Sequence, residues 1–434
     1  MSVARPADTA GQAEVVATTG WEAVSAQAWQ AVVIGAGPAG SAAATRLAAR
    51  GLAVLLVDAL ALPRPKLCGC CLSPTGLAEL MALNQLTPGG RITSAGIPSG
   101  GLPLERVRLA TNAISAVLPM PRGGVVSREA LDADGVRQAI AAGAAWLPRA
   151  RVTTLSDEPG GVCLSLTAAD APADRSQTAV IFAEIVVVAA GLADAIRGGG
   201  CDRDERVVAS DSRVGLGTTL PATAGGPPPG ELVMAVSRRG YCGVVRLADG
   251  RVDIAAAVDR GIVAAAGSPA AAIATVLAET GGDRAANLAT PEAVAHLAAA
   301  IYRGTPPLTR RRPVASQSGR ILRIGDAAGY VEPFTGEGMG WALVSARLCD
   351  EAVAPNVTTD GRIAGDVSAA GIRYALLHGR HFAAHHARCR RVSLVVRRPW
   401  LVGSALWLAR LAPAIAAGVV PLVVGGALTS KAHG

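Results

Sequence analysis

The sequence predicts an α/β fold: a doubly wound nucleotide-binding domain, a β-sheet substrate domain inserted into it, and a helical C-terminal tail. Three observations carry this expectation. A strand, a glycine turn, a helix and a second strand follow one another over residues 30–58. A strand, an acid and a glycine-rich loop return at residues 320–343. Between them lie apolar, strand-like runs separated by Pro and Gly.

The first unit begins with Ala31-Val32-Val33-Ile34, a short apolar run of buried-strand type. Gly35-Ala36-Gly37-Pro38-Ala39-Gly40 follows, then an Ala-rich helical segment from Ser41 to Arg50, closed by Gly51. Residues 52–57 form the second strand, which ends at Asp58. Each glycine has a task. Gly35 permits the tight turn, Gly37 lets the backbone approach a pyrophosphate, and Gly40 lets helix and strand pack closely. The helix N-terminus turns free N–H groups and a positive dipole toward phosphates. Asp58 is placed to accept ribose hydroxyls. This is the Rossmann-type dinucleotide fingerprint in full context, and alone it does not separate FAD from NAD.

Further along, helices are expected over 75–83 and 128–142, a strand over 180–190 that is fully apolar from 185 to 190, strand segments over 233–258 and an Ala-rich helix over 268–302. The domains are accordingly placed as follows. Residues 1–28 are a flexible N-terminal extension. Segments 29–95, 122–205 and 312–355 build the nucleotide domain, 96–121 and 206–311 the substrate domain, and 356–434 the basic and apolar helical C-terminal region.

The second glycine-rich stretch runs from Arg323 to Leu343 and favours FAD. Gly325 and Asp326 end a strand, and Asp326 is placed to bind sugar-chain hydroxyls. Pro333, Gly336, Gly338 and Met339 follow in a loop that opens a helix. Its free amides suit the negative charge that a reduced flavin places on one ring edge. Three blocks here resemble the para-hydroxybenzoate-hydroxylase-fold flavoproteins, and more closely their geranylgeranyl-reductase-like branch. They are residues 33–41, Lys66-Leu67-Cys68-Gly69 with Ser73-Pro74-x-Gly76-Leu77, and 325–329 through 338. A fourth, Ser127-Arg128-Glu129-Ala130-Leu131-Asp132, is similar to a helix start that lies beside FAD in that family.

The resemblance implies FAD across the first unit, with its ring at the Pro-x-Thr-Gly-Glu-Gly loop. Gly35, Gly37, Ala39, Gly40, Asp58, Arg128, Gly325, Asp326, Pro333, Gly336, Gly338 and Met339 would be its binding residues. It also implies a catalytic role for Cys68, and we place Tyr241 beside it. Tyr241 opens the segment that stands where that branch carries Trp-x-Phe-Pro. The Trp-x-Trp-x-Ile-Pro signature of flavin halogenases is absent, and Ala190-Gly191 replaces the Asp-Gly of the usual second FAD motif. Only one nucleotide fingerprint is present, so the electron donor is expected to be transiently docked NAD(P)H, or a protein or quinol.

Composition narrows the class. Half of the 434 residues are hydrophobic and 17% charged, which excludes global disorder. Eight Cys, three of them at 68, 70 and 71, are too few and too clustered for a disulfide framework, so a cytoplasmic location is expected. Aromatics at 3% argue against a single-strand nucleic-acid platform. The net charge of +8 is misleading: residues 367–434 hold no acid, eight Arg and Lys431, and the remainder is within one charge of neutral. Such a tail seeks an acidic surface. With Trp400, Trp407 and the uncharged 20-residue stretch 411–430, it suits peripheral membrane contact, the competing reading being a buried helical subdomain. No nucleic-acid partner is expected. His378, His381, His385, His386 and Cys389 crowd one helix, but interleaved Arg argue for a basic face that gains charge in acid, and no metal site is expected.

The expectation is an FAD-dependent oxidoreductase acting on a small apolar substrate of lipid, isoprenoid or polyketide type, by C=C reduction with reduced flavin. The alternatives are a flavin monooxygenase hydroxylating an aromatic or polyketide, and a membrane-docked electron-transfer flavoprotein. The flavin carries the hard step in the first two, so the residues do not separate them.

Overall fold

A computed structural model describes residues 17–87, 96–98, 100–112, 114–170, 177–193, 195–198, 206–332, 334 and 336–411. In chain order the first elements are α1 (Trp21–Ala26), β1 (Trp29–Ile34), α2 (Pro38–Ala49), β2 (Val54–Val57), β3 (Cys71–Leu72) and α3 (Pro74–Asn84). Next come β4 (Leu102–Thr111), β5 (Ile114–Val125), α4 (Arg128–Ala141), β6 (Ala145–Leu147), β7 (Ala150–Glu158), β8 (Gly161–Ala168) and β9 (Thr178–Val188). The middle of the chain forms β10 (Val207–Val208), β11 (Val214–Leu220), β12 (Glu231–Ser237), β13 (Gly240–Arg246), β14 (Val252–Val258), α5 (Arg260–Ala266), α6 (Pro269–Thr280), α7 (Gly282–Ala285) and α8 (Pro291–Ala299). The last elements are β15 (Arg303–Pro307), β16 (Arg310–Arg311), β17 (Ile321–Arg323), β18 (Gly329–Tyr330), α9 (Gly338–Val353), α10 (Ser368–Val396) and α11 (Pro399–Leu411).

The first sheet is parallel through β6-β2-β1-β9, and β17 adds in parallel to the C-terminal end of β9. Both faces are buried, which is why these strands read as unbroken apolar runs. Successive side chains of β1 serve two cores. Ala31 and Val33 pack under α2, α4 and α9, whereas Val32 and Ile34 face the antiparallel β7–β8–β9 meander and α1. On this second face a β-meander does the covering that a helix does on the first.

The second sheet has eight strands in the order β15-β11-β14-β13-β12-β4-β5-β3. Its strands alternate as a half-buried sheet requires. Along β13, Cys242 and Val244 pack against α6 and α8, and Tyr241 turns to the opposite face. Val396, Val402 and Leu406 of α10 and α11 join that opposite face. Strand β5 runs across the division placed at residues 121 and 122, and β3, from the nucleotide segment, pairs with it. The two units therefore share strands.

Three expectations need correction. The flexible extension is ordered over Trp21–Ala26, where Val24 is fully buried and its carbonyl accepts the Trp29 indole N–H at 3.0 Å. The helix expected over 268–302 is three helices. Gly281 takes a left-handed φ of 69° that ends α6, and Thr290-Pro291 starts α8 afresh. The histidines of α10 do not form an acid-responsive basic face: they pack on aromatics. His386 lies 5.4 Å from the Trp341 ring and His378 4.6 Å from Phe382. Burial pushes both down to about 4. The greater part of the stretch 411–430, like residues 1–16, lies outside the described residues.

Candidate active site

The nucleotide end is built by backbone. Gly35 has φ +104°, and a Cβ on Gly40 would stand 1.8 Å from the Gly35 carbonyl oxygen. Only glycine allows this turn and this approach of α2 to β1. The first intrahelical bond of α2 runs from Ser41 N–H to Gly37 C=O at 3.0 Å, so the amides of Ala39 and Gly40 have no helical partner. The α9 N-terminus repeats the device. Its first bond is Trp341 N–H to Glu337 C=O at 2.9 Å, which leaves the amides of Gly338, Met339 and Gly340 without a helical partner. The two ends are brought together by Gly325 (φ +57°), where a Cβ would meet the Ala39 Cβ at 2.9 Å.

Between them opens a cavity of about 820 Å³. Gly37, Ala39, Arg128, Gly325, Asp326, Gly336, Gly338 and Met339 line it, and so do Cys68 and Tyr241. Ten residues singled out in the sequence, from five separate segments, thus converge on one space. Gly35, Gly40 and Asp58 do not line it: the two glycines shape the turn behind the wall. Pro333 lies outside the described residues. Asp58 is held by protein donors. Its carboxylate accepts Ala36 N–H at 2.7 Å and Leu60 N–H at 2.9 Å, and pairs with Arg64. It stabilises the glycine turn directly.

The polar groups are few and coupled. Asp132 grips the buried Arg128 through two bonds of 2.9 and 2.8 Å, which aims the guanidinium at Gly37 and Cys68. A hydrogen bond from the Cys70 thiol, together with Arg128, lowers the Cys68 thiol to about 6. Cys70, bonded to Cys68 and buried, is raised well above the ordinary thiol range. Of the two thiols, Cys68 is thus the one shifted toward ionisation and Cys70 the one shifted toward keeping its proton. Burial raises the Tyr241 phenol well above its usual value. Its ring meets Phe334 edge-on at 5.1 Å, and the Arg213 guanidinium lies 5.8 Å from its centre.

Residue typing alone missed several groups. Lys66 lines the cavity, and burial, then Arg128, lowers its ammonium. Asp326 is raised by the same burial. Two ion pairs bracket the loop before α9. Arg213 reaches Glu332 at 3.2 Å and Asp259 at 2.9 Å, and Arg388 of α10 holds Glu337 at 2.8 Å. The only sequence signal for these was an acid on each side of the loop. Among the described residues, no group of three or more His, Cys, Asp or Glu has metal-holding geometry.

Thr305, Tyr330 and Arg391 apart, the remaining wall is apolar. It comprises Val107, Leu109, Leu118 and Met120 of β4–β5, Leu232 and Met234 of β12, Ala255–Ala257 of β14, and Val392, Val396 and Leu406 of the C-terminal helices.

Residues 33–75 match the NAD(P)-binding Rossmann-like domain family. Over 54 residues the chain is 54% identical to the menaquinone reductase of Mycolicibacterium smegmatis, a match covering 12% of this chain and 13% of that relative. A menaquinone reductase of Mycobacterium tuberculosis is 54% identical over 52 residues, with the same coverage of both chains. Solved structures match over nearly the whole chain. The myxobacterial chondrochloren halogenase, FAD-dependent, has a TM-score of 0.67 at 18% identity, covering 93% of this chain and 98% of its own. A flavin-dependent brominase gives 0.66 at 18% identity, covering 92% and 94%. A flavoprotein/dehydrogenase from Cytophaga hutchinsonii gives 0.64 at 14% identity, covering 93% and 94%. FAD fits the residues present: two helix N-termini with unpaired amides, a glycine turn with no room for a side chain, and a fixed guanidinium meet in one cavity. The chain has the α/β fold of FAD-dependent flavoenzymes, with a Rossmann-like nucleotide-binding unit at residues 33–75.

Proposed function

We propose that this chain is a reductase that uses FAD to saturate a carbon–carbon double bond of an apolar, lipid-like substrate. The observation that carries the reading is the cavity wall. Apart from the polar groups at the nucleotide end and Tyr241, Tyr330, Thr305 and Arg391, it is aliphatic, aromatic and sulfur-bearing, which suits an apolar ligand. The short stretch shared with menaquinone reductases supports a quinone lipid as the substrate class.

Bound FAD would supply two-electron redox chemistry at a ring edge facing α9. The chain's own residues then have separable tasks. Ala39, Gly338 and Met339 offer amides to anionic groups, Arg128 adds a fixed cation, and Gly35 and Gly40 shape the turn. Asp58 holds that turn, while Asp326 and Gly325 would face the sugar chain and Gly336 the loop beside the ring. The Cys68 thiolate and Cys70 thiol share one proton at the wall. Tyr241 is a phenol that keeps its proton while facing the substrate space. Either can deliver the proton that a reduced double bond requires. The donor is read as NAD(P)H, a protein or a quinol.

The test is product analysis. The FAD-loaded protein is reduced without oxygen and mixed with detergent-dispersed menaquinone or a polyprenyl lipid. A product carrying two added hydrogens supports the reading. A product carrying an added oxygen, formed only in air from an aromatic acceptor, would overturn it in favour of a hydroxylase. Rapid electron exchange with quinone and no reduced lipid would favour an electron-transfer flavoprotein.

A further inference from the structure

We propose that the outer face formed by the end of α10 and by α11 docks on an anionic lipid bilayer, and that the cavity exchanges its substrate with the membrane there. The proposal rests on the lipid-reductase reading for its purpose, but not for its geometry.

Leu408 and Val395 are 59% and 45% exposed, yet both line the cavity. The interior therefore reaches the surface on this face, where Arg391 also lines it. Beside the mouth, Trp400, Trp407 and Leu394 are 63%, 57% and 54% exposed. Helix α11 thus has a buried apolar face, Val402 and Leu406, and an equally apolar outer face with nothing described upon it. A helix apolar all round is stable in water only when covered.

Charge selects the occupant. Arg390, Arg391 and Arg398 are exposed on the same segment, with no carboxylate partner among the described residues. By contrast, Arg388 and Arg397 turn inward to Glu337 and Glu332. No acid occurs after Asp366. Tryptophans flanked by cations, around an apolar opening, match the interfacial zone of a bilayer, where rings sit at headgroup depth and cations meet lipid phosphates. Among the described residues no single helix is long and apolar enough to cross a membrane, and the contact proposed is a surface one.

The test uses the full chain with vesicles of phosphatidylcholine, with and without phosphatidylglycerol. Partitioning is expected only on the anionic vesicles, weakened by salt. Tryptophan emission is expected to shift to the blue, because Trp29, Trp146 and Trp341 are already buried. The pair Arg390→Gln and Arg398→Gln should weaken partitioning by about 25-fold, at roughly fivefold per cation. The pair Trp400→Ser and Trp407→Ser should weaken it at least ~10-fold and abolish the shift. Both pairs should keep full turnover of detergent-dispersed lipid.

The proposal is overturned by equal binding to neutral vesicles, by no binding, or by binding that both pairs leave intact. Self-association that the Trp pair abolishes would also overturn it, by assigning the face to a second copy. Vesicle binding as expected without lipid reduction would instead remove the functional reading and leave the surface standing.

Discussion

The two walls of the cavity are built by opposite rules. The nucleotide wall is mostly backbone: amides at two helix ends and glycines with positive φ, with Arg128, Lys66 and Asp326 as its charged side chains. The substrate wall is side chain: aliphatic and sulfur groups from one face of an antiparallel sheet. A backbone wall tolerates little substitution at its tightest points, Gly35, Gly40 and Gly325, where a Cβ would stand within 3 Å of its neighbours. A side-chain wall can be reshaped residue by residue without moving the sheet. The difference teaches where cofactor identity is fixed and where substrate choice is free.

The sharpest way to break the comparison is Gly40→Val. Its Cβ would lie 1.8 Å from the Gly35 carbonyl oxygen, so α2 must move off β1. FAD affinity should fall at least about 100-fold, with a stability loss of about 3 kcal/mol, the upper range for forced overpacking. Calorimetric titration with FAD and a thermal melt check both. A variant that binds FAD normally would show that the close approach is not what the cofactor requires.

Next in size is Arg213→Met. Arg213 is 1% exposed and balances Glu332, itself 2% exposed as a side chain, so truncation leaves that buried carboxylate with only Arg397, at 3.7 Å, to offset it. With Arg397 still beside the carboxylate, a loss of at most about 3 kcal/mol, the lower end for a broken buried pair, is expected on denaturant unfolding. Glu332→Gln in the Arg213→Met background should recover part of it, because the carboxylate charge is then gone.

A smaller and more selective effect is expected at the substrate wall. Ala257 pairs with Tyr241 across β13 and β14 and faces the cavity. Ala257→Phe should raise the KM for a lipid acceptor by about 10-fold, the lower range for a change of bulk in an apolar pocket. FAD affinity should stay within error. If FAD affinity falls as well, the two walls are not independent and the comparison fails.

The same contrast explains what could be read in the sequence. Gly35 and Gly40, and the strand–acid–glycine run at 325–340, were legible because steric rules leave few residues able to stand there, and Gly37 by its spacing between the first two. Short-range elements were legible for the same reason: α3 and α4 each start at a Ser cap, Ser73 and Ser127, that accepts an amide three residues on. The substrate wall was not legible. Val107, Met234, Ala257 and Val396 look like any core residues, and only the pairing of distant strands turns them to one side. Nor were the grip of Arg388 on Glu337, or the packing of His386 on Trp341, because each joins α10 to a helix start some fifty residues away. Sequence charge marked α10 as a basic face. The structure divides that charge, sending Arg388 and Arg397 inward and leaving Arg390 and Arg398 out.

The subtlest test lies where the walls meet, at Cys68. Its thiol is lowered from 9.0 to about 6, first by the Cys70 thiol and then by Arg128, against the opposing effect of burial. The sign follows from linkage. A thiol that titrates lower in the folded than in the unfolded chain stabilises the fold fully above about pH 9, and that contribution is lost as pH falls through about 6. Alkylation of Cys68 in the flavin-free protein should therefore follow a single ionisation near 6. Cys70→Ala removes the larger cause and should move the midpoint back toward the ordinary thiol range, while Arg128→Gln should move it less. The two substitutions act from opposite walls, since Arg128 stands at the nucleotide turn and Cys70 packs with Leu104 and Val245 of the substrate sheet. A midpoint that answers to Arg128 alone would assign the thiolate to the cofactor wall. A midpoint that answers to both makes Cys68 the one group through which each wall senses the other's charge.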